Sequence, residues 1–61
     1  MSKFSSPVSP YRLAKESGKI PQMVYNYIRM GLIKSRRNEL GKHQISAEEA
    51  NKWFEKWTST S

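Results

Sequence analysis

The stretch from Gly18 to Ile33, GKIPQMVYNYIRMGLI, leaves this chain few ways to fold, because it carries both a start and a stop signal for a helix. Pro21 suits the first helical turn, where its missing N–H leaves nothing unpaired, and Gly31 suits the left-handed position that closes a helix. A short helix over Pro21–Met30 follows. Projected at ~3.6 residues per turn, it has an apolar stripe of Ile20, Val24, Tyr27 and Ile28, with Gln22, Tyr25, Asn26 and Arg29 mainly on the other side. So short a helix depends on packing along its stripe, and the flanking segments must provide the partners.

Upstream, Ser9-Pro10 reads as a helix entry, with Ser9 as the cap and Pro10 as the first residue. That helix runs through Ser17 and stops at Gly18, turning Leu13 and Ala14 inward and leaving Arg12, Lys15 and Glu16 in water. Two helices joined only by Gly18, Lys19 and Ile20 must cross steeply, which is helix-turn-helix geometry.

After Gly31 the period changes from 3.6 to 2. Ile33 to Arg36 alternate, as do Lys42 to Ile45, and Asn38-Glu39-Leu40-Gly41 supplies turn chemistry between them. The expected hairpin is anchored at Ile33 and Ile45, with Lys34, Arg36 and Lys42 outward, Arg37 near the tip and His43 inward as a partly buried neutral group. Its cations have a bland use, guarding a strand edge against aggregation. Leu40, at the tip, either folds over the hairpin or meets a partner.

Ser46-Ala47-Glu48-Glu49 has the form of a capping box, in which Ser46 caps the helix and the Glu49 side chain reaches back to the Ser46 N–H. Ala50, Trp53, Phe54 and Trp57 follow at helical spacing, an aromatic stripe expected to lie across the first two helices and supply much of the core. A dimer contact is the rival use for Trp57. Residues 1–8, MSKFSSPV, lack periodicity and read as a mobile or loosely docked arm, and residues 58–61 as a disordered tail. The domain proper is thus 9–57, and the fold class is α+β, mostly helical: three short helices with a two-stranded hairpin wing.

A chain of 61 residues has room for one modest core. It has no cysteine, so neither a disulfide nor a thiolate site is available, and its single histidine, His43, rules out a His-rich metal cluster. Without aspartate, cysteine or a glycine-rich phosphate loop, the chain also lacks the parts of a catalytic centre, and no cofactor or small-molecule ligand is expected. Apolar runs are far below the ~20 residues of a membrane span, so no membrane partner is expected and the anticipated location is cytoplasmic.

Residues 1–45 carry nine basic and two acidic groups, whereas residues 46–61 carry two basic and three acidic, so the balance falls from +7 to −1 along the chain. A positive field of this kind attracts nucleic acid, anionic lipid or acidic protein. The amides, phenol and guanidinium of Gln22, Asn26, Tyr25 and Arg29 are groups that read base edges or hold phosphates in a major groove, although a merely solvated helix face has the same composition.

The order of parts resembles the winged-helix DNA-binding domains of the MerR and excisionase-like superfamily. The likeness is carried by Leu13-Ala14-Lys15-Glu16-Ser17-Gly18, by Pro21, Val24, Tyr27, Arg29 and Gly31-Leu32-Ile33, and by Ile45-Ser46 leading into Glu48-Glu49 and Trp53. Ile20 departs from the pattern, since Ser or Thr usually precedes the proline in that superfamily. The resemblance implies a second helix in the major groove, with Gln22, Met23, Tyr25, Asn26 and Arg29 as its face. It also implies a wing on the backbone or minor groove through Arg36, Arg37 and Lys42. Arg12, Lys19 and Lys34 complete the candidate contacts with double-stranded DNA.

The expected function is therefore a small sequence-preferring DNA-binding protein, either an excisionase-like recombination factor or a small phage or plasmid regulator of transcription. It is expected to self-associate on repeated sites or to work with a recombinase or transcription partner, since one helix and one wing cover about half a site. Two alternatives stand beside it: a protein-interaction module for an acidic partner, and the DNA-binding domain of a larger MerR-like regulator. A membrane-active cationic peptide is disfavoured by the turn signals that break the chain into short pieces.

Overall fold

Three helices and one hairpin form in the order the helix breakers impose: α1 (Pro10–Ser17), α2 (Pro21–Arg29), strands β1 (Arg36–Arg37) and β2 (His43–Gln44), and α3 (Ala47–Thr58). The computed structural model describes residues 3–59; the arm and tail expectations for residues 1–2 and 60–61 fall outside the described residues. This is a small α+β architecture whose antiparallel hairpin lies between the second and third helices, a topology consistent with a winged helix-turn-helix.

Capping sets the helix bounds. Ser9 Oγ accepts from the Arg12 N–H at 3.2 Å, a contact typically worth about 1 kcal/mol. At the other end of α1, Gly18 (φ 72°) lets its own N–H reach Lys15 O and the Lys19 N–H reach Ala14 O, the paired bonds of a Schellman stop. The same pattern ends α2: the Gly31 N–H bonds Ile28 O and the Leu32 N–H bonds Tyr27 O, with Gly31 at φ 79°. Met30 is the cap of α2 rather than its last turn, so the helix is one residue shorter than predicted.

Ile20 does not join the apolar stripe. It precedes Pro21, which holds it extended (φ −84°, ψ 143°) and outside the helix, and it is 66% exposed. It also gives α2 no side-chain cap. Val24 is the fully buried residue of α2, flanked by half-buried Tyr27 and Ile28, and it meets Leu13, Ala14, Ile33, Ile45 and Ala50 in the core.

The largest departure from expectation is the arm. Among the described residues, those from Lys3 to Val8 are docked: Phe4 and Val8 are only 5% and 4% exposed. Val8 exchanges two backbone hydrogen bonds with Ile45, each 2.8 Å, adding a one-residue rung to the outer side of β2. The Asn51 carboxamide clamps the Phe4 backbone, accepting from its N–H at 2.7 Å and donating to its carbonyl at 2.8 Å. Lys3 pairs with Glu16 at 3.3 Å. A chain this short has few apolar side chains to bury, so two in the arm are drawn into the core.

The aromatic residues of α3 divide between two neighbours. Trp53 and Trp57 meet Tyr27 of α2 edge-on, with ring centroids 5.5 and 5.8 Å away, whereas Phe54 turns to Phe4 of the arm at 5.7 Å. The capping box is only half formed. Ser46 Oγ accepts from the Glu49 N–H at 3.2 Å, but the Glu49 carboxylate accepts from Trp53 Nε1 at 3.1 Å and from the Lys34 N–H at 3.3 Å instead. With its carboxylate engaged by these donors, Glu49 leaves the Ser46 N–H without its reciprocal bond among the described residues. The helix also runs on to Thr58, which the tail expectation had placed outside it.

Candidate nucleic-acid interface

The free side of α2 is the one the helical projection assigns. Gln22, Tyr25, Asn26 and Arg29 are all exposed, while Met23, predicted to share that face, is half-buried on its flank. Gln22 Nε2 donates to Asn26 Oδ1 at 3.1 Å, a pair one turn apart. The bond leaves the Asn26 amino group and the Gln22 carbonyl unused, one donor and one acceptor, the two kinds of group that the major-groove edge of adenine pairs with.

The hairpin is short, with a register of Arg36 opposite Gln44 and Arg37 opposite His43. Directly opposed residues share a face of a ribbon, so Ser35, Arg37 and His43 lie on one face and Lys34, Arg36, Lys42 and Gln44 on the other. His43 is half-buried as expected, with Nδ1 3.3 Å from Ser35 Oγ. Its ring meets that of Tyr25 edge-on at 6.3 Å. The contact joins the exposed face of α2 to the Arg37 face of the hairpin.

Lys34 and Arg36, with Gln44, line a shallow groove against Pro7 on the other face. Arg29 lies one turn beyond Tyr25 and borders a depression with Asn26 and Met30. Arg12 is exposed on α1 and Lys19 half-buried in the turn; no side-chain hydrogen bond or ion pair ties either to α2 or the hairpin among the described residues. Among those residues the cations of α2 and the hairpin also lack acidic partners, the ion pair present being Lys3–Glu16.

Glu49, expected only to cap, also ties the root of the hairpin to α3. No local pattern reports the bond from Glu49 to Lys34, 15 positions away. Leu40, expected either to fold over the hairpin or to meet a partner, stands 79% exposed at the tip and does not fold over it. No three His, Cys, Asp or Glu side chains gather to hold a metal ion, and no helix is long and apolar enough to cross a membrane, both among the described residues. Comparison with protein-family models, with curated proteins and with solved structures finds no match to this chain.

Proposed function

We propose that this chain is a sequence-preferring binder of double-stranded DNA. Helix α2 enters the major groove, Gln22 and Asn26 read base edges, Arg29 holds phosphate, and the hairpin rests beside them on the backbone or in the minor groove. The observation that carries this reading is the Tyr25–His43 contact, which makes the amide-bearing helix face continuous with the arginine-bearing hairpin. A surface of unpaired cations next to planar hydrogen-bonding groups suits a partner that has both phosphates and base edges. Its output is architectural or regulatory: as an excisionase-like recombination factor or a small repressor, it acts by occupying DNA in company with further copies or a partner protein.

The test is titration of random-sequence duplex by fluorescence anisotropy from about 50 to 200 mM salt. The Arg36→Ala, Arg37→Ala double variant removes two phosphate contacts, so its log–log salt slope is expected to be shallower by about 2, with weaker binding to every sequence. Equal binding by the wild type and the double variant at moderate salt contradicts the wing assignment. If the wild type fails to shift any duplex at low salt, DNA is not the ligand, and the cationic surface belongs to an acidic protein partner.

A further inference from the structure

Residues 36–42 are exposed without interruption, while Ile33 and Ile45 at the hairpin base are buried. At ~3.3 Å per residue the ribbon carries its tip ~15 Å from that buried base. One side chain ties the turn twice: Asn38 Oδ1 accepts from the Leu40 N–H at 2.9 Å and from the Lys42 N–H at 3.0 Å, beside the Asn38 N–H to Lys42 O backbone bond. The Gly41 N–H bonds Asn38 O at 2.9 Å, with Gly41 at φ 76°. Leu40, the residue this turn presents, is the most exposed large apolar side chain among the described residues, at 79%.

A single exposed leucine is ordinary on a surface. What distinguishes this one is that a built turn fixes it at the point of a projecting ribbon, where it adds nothing to the core, and that cations lie on both faces behind it. Arg37 is on one face and Arg36 and Lys42 on the other, the positions that the two phosphate walls of a groove would occupy. Glu39, beside Leu40, is unsuited to a phosphate wall but can accept a hydrogen bond from the guanine amino group on the minor-groove floor.

We propose that the hairpin tip is a preformed apolar wedge: Leu40 enters the minor groove of duplex DNA and partly unstacks one base step, bending the duplex, with Arg37 facing one backbone and Arg36 and Lys42 the other. This rests on the DNA-binding reading and gives it a distorting mode. Apolar wedges of this kind bend DNA by roughly 20–90°.

The experiment compares the full chain with L40A and L40M on an end-labelled duplex. Affinity and salt slope are read by anisotropy, and bending by energy transfer between the ends. The wild type is expected to bring the ends together. L40A is expected to keep the wild-type salt slope, because no phosphate contact is lost, yet to lose the bend and to bind about tenfold more weakly. L40M, which keeps an apolar tip, is expected to restore the bend. A wild type that binds without bending overturns the wedge but leaves DNA binding standing, as does L40A bending like the wild type. If L40A loses only cooperative binding to longer DNA, Leu40 is a contact between copies and the wedge is again overturned. Absence of binding by the wild type at low salt removes the DNA reading itself.

Discussion

Replacing Phe4 by alanine tests whether the arm belongs to the folding unit. Phe4 is 5% exposed, packs edge-on to Phe54 at 5.7 Å, and has both backbone polar groups held by Asn51. A buried Phe→Ala change typically costs about 3–5 kcal/mol. At about 0.05–0.15 kcal/mol per residue, the whole chain is stable by only about 3–9 kcal/mol. The loss has a ceiling, because the arm can peel away and leave the helices folded once its docking energy is gone. The lower end, about 3 kcal/mol, is therefore the expectation, and at 4–8 °C per kcal/mol for a domain of this size Tm falls by about 12–24 °C. The assay is thermal unfolding followed by circular dichroism, with Phe4→Leu and Ser5→Ala beside it. Phe4→Leu keeps most of the apolar volume and should recover most of the loss; exposed Ser5 should tolerate alanine within about 0.5 kcal/mol. A Phe4→Ala variant melting within about 2 °C of the wild type would refute the reasoning, since the arm would then hang free of the cooperative unit.

Asn26→Ala and Gln22→Ala are each expected to relax base preference at one position by about 1–3 kcal/mol while leaving the salt slope unchanged, measured by selection from a random duplex pool followed by titration. An unchanged selected site would remove both from the reading face. Ser17 is 7% exposed and its hydroxyl has no hydrogen-bond partner among the described residues. Ser17→Ala is therefore expected to stabilise the fold by about 0.5–1 kcal/mol, through relief of an unpaired buried group and better helix propensity, and a lower Tm would contradict this.

How much the sequence discloses varies with the physics involved. Helix limits were plain because Pro10, Pro21, Gly18 and Gly31 act locally through backbone sterics, and each behaves as its chemistry requires. The free face of α2 was equally plain, since helical projection needs only the period. Ile20 misled because projection carried it into a helix it merely precedes. Phe4 and Val8 were missed because their burial depends on residues such as Asn51, 47 positions from Phe4, and no local pattern reports so distant a clamp. Glu49 was half understood: its backbone obeys the capping rule, but its carboxylate is won by an indole and an amide that only tertiary packing brings near. Placement of the interface cations came from strand parity, yet the contact joining ribbon to helix, Tyr25 to His43, needed the folded chain.

One oxygen of the Glu49 carboxylate, accepting from both Trp53 and the first residue after Ile33, makes the third helix a lever. A ribbon fastened only by its own two strands would swing about its root. Fastened here as well as at the Val8–Ile45 rung and the buried Ile33 and Ile45, it takes its angle from the body of the fold, the Trp53 indole included. Repacking around Trp53 is thus passed to the ribbon's root, so substitutions buried behind the molecule are expected to shift the ribbon without touching it.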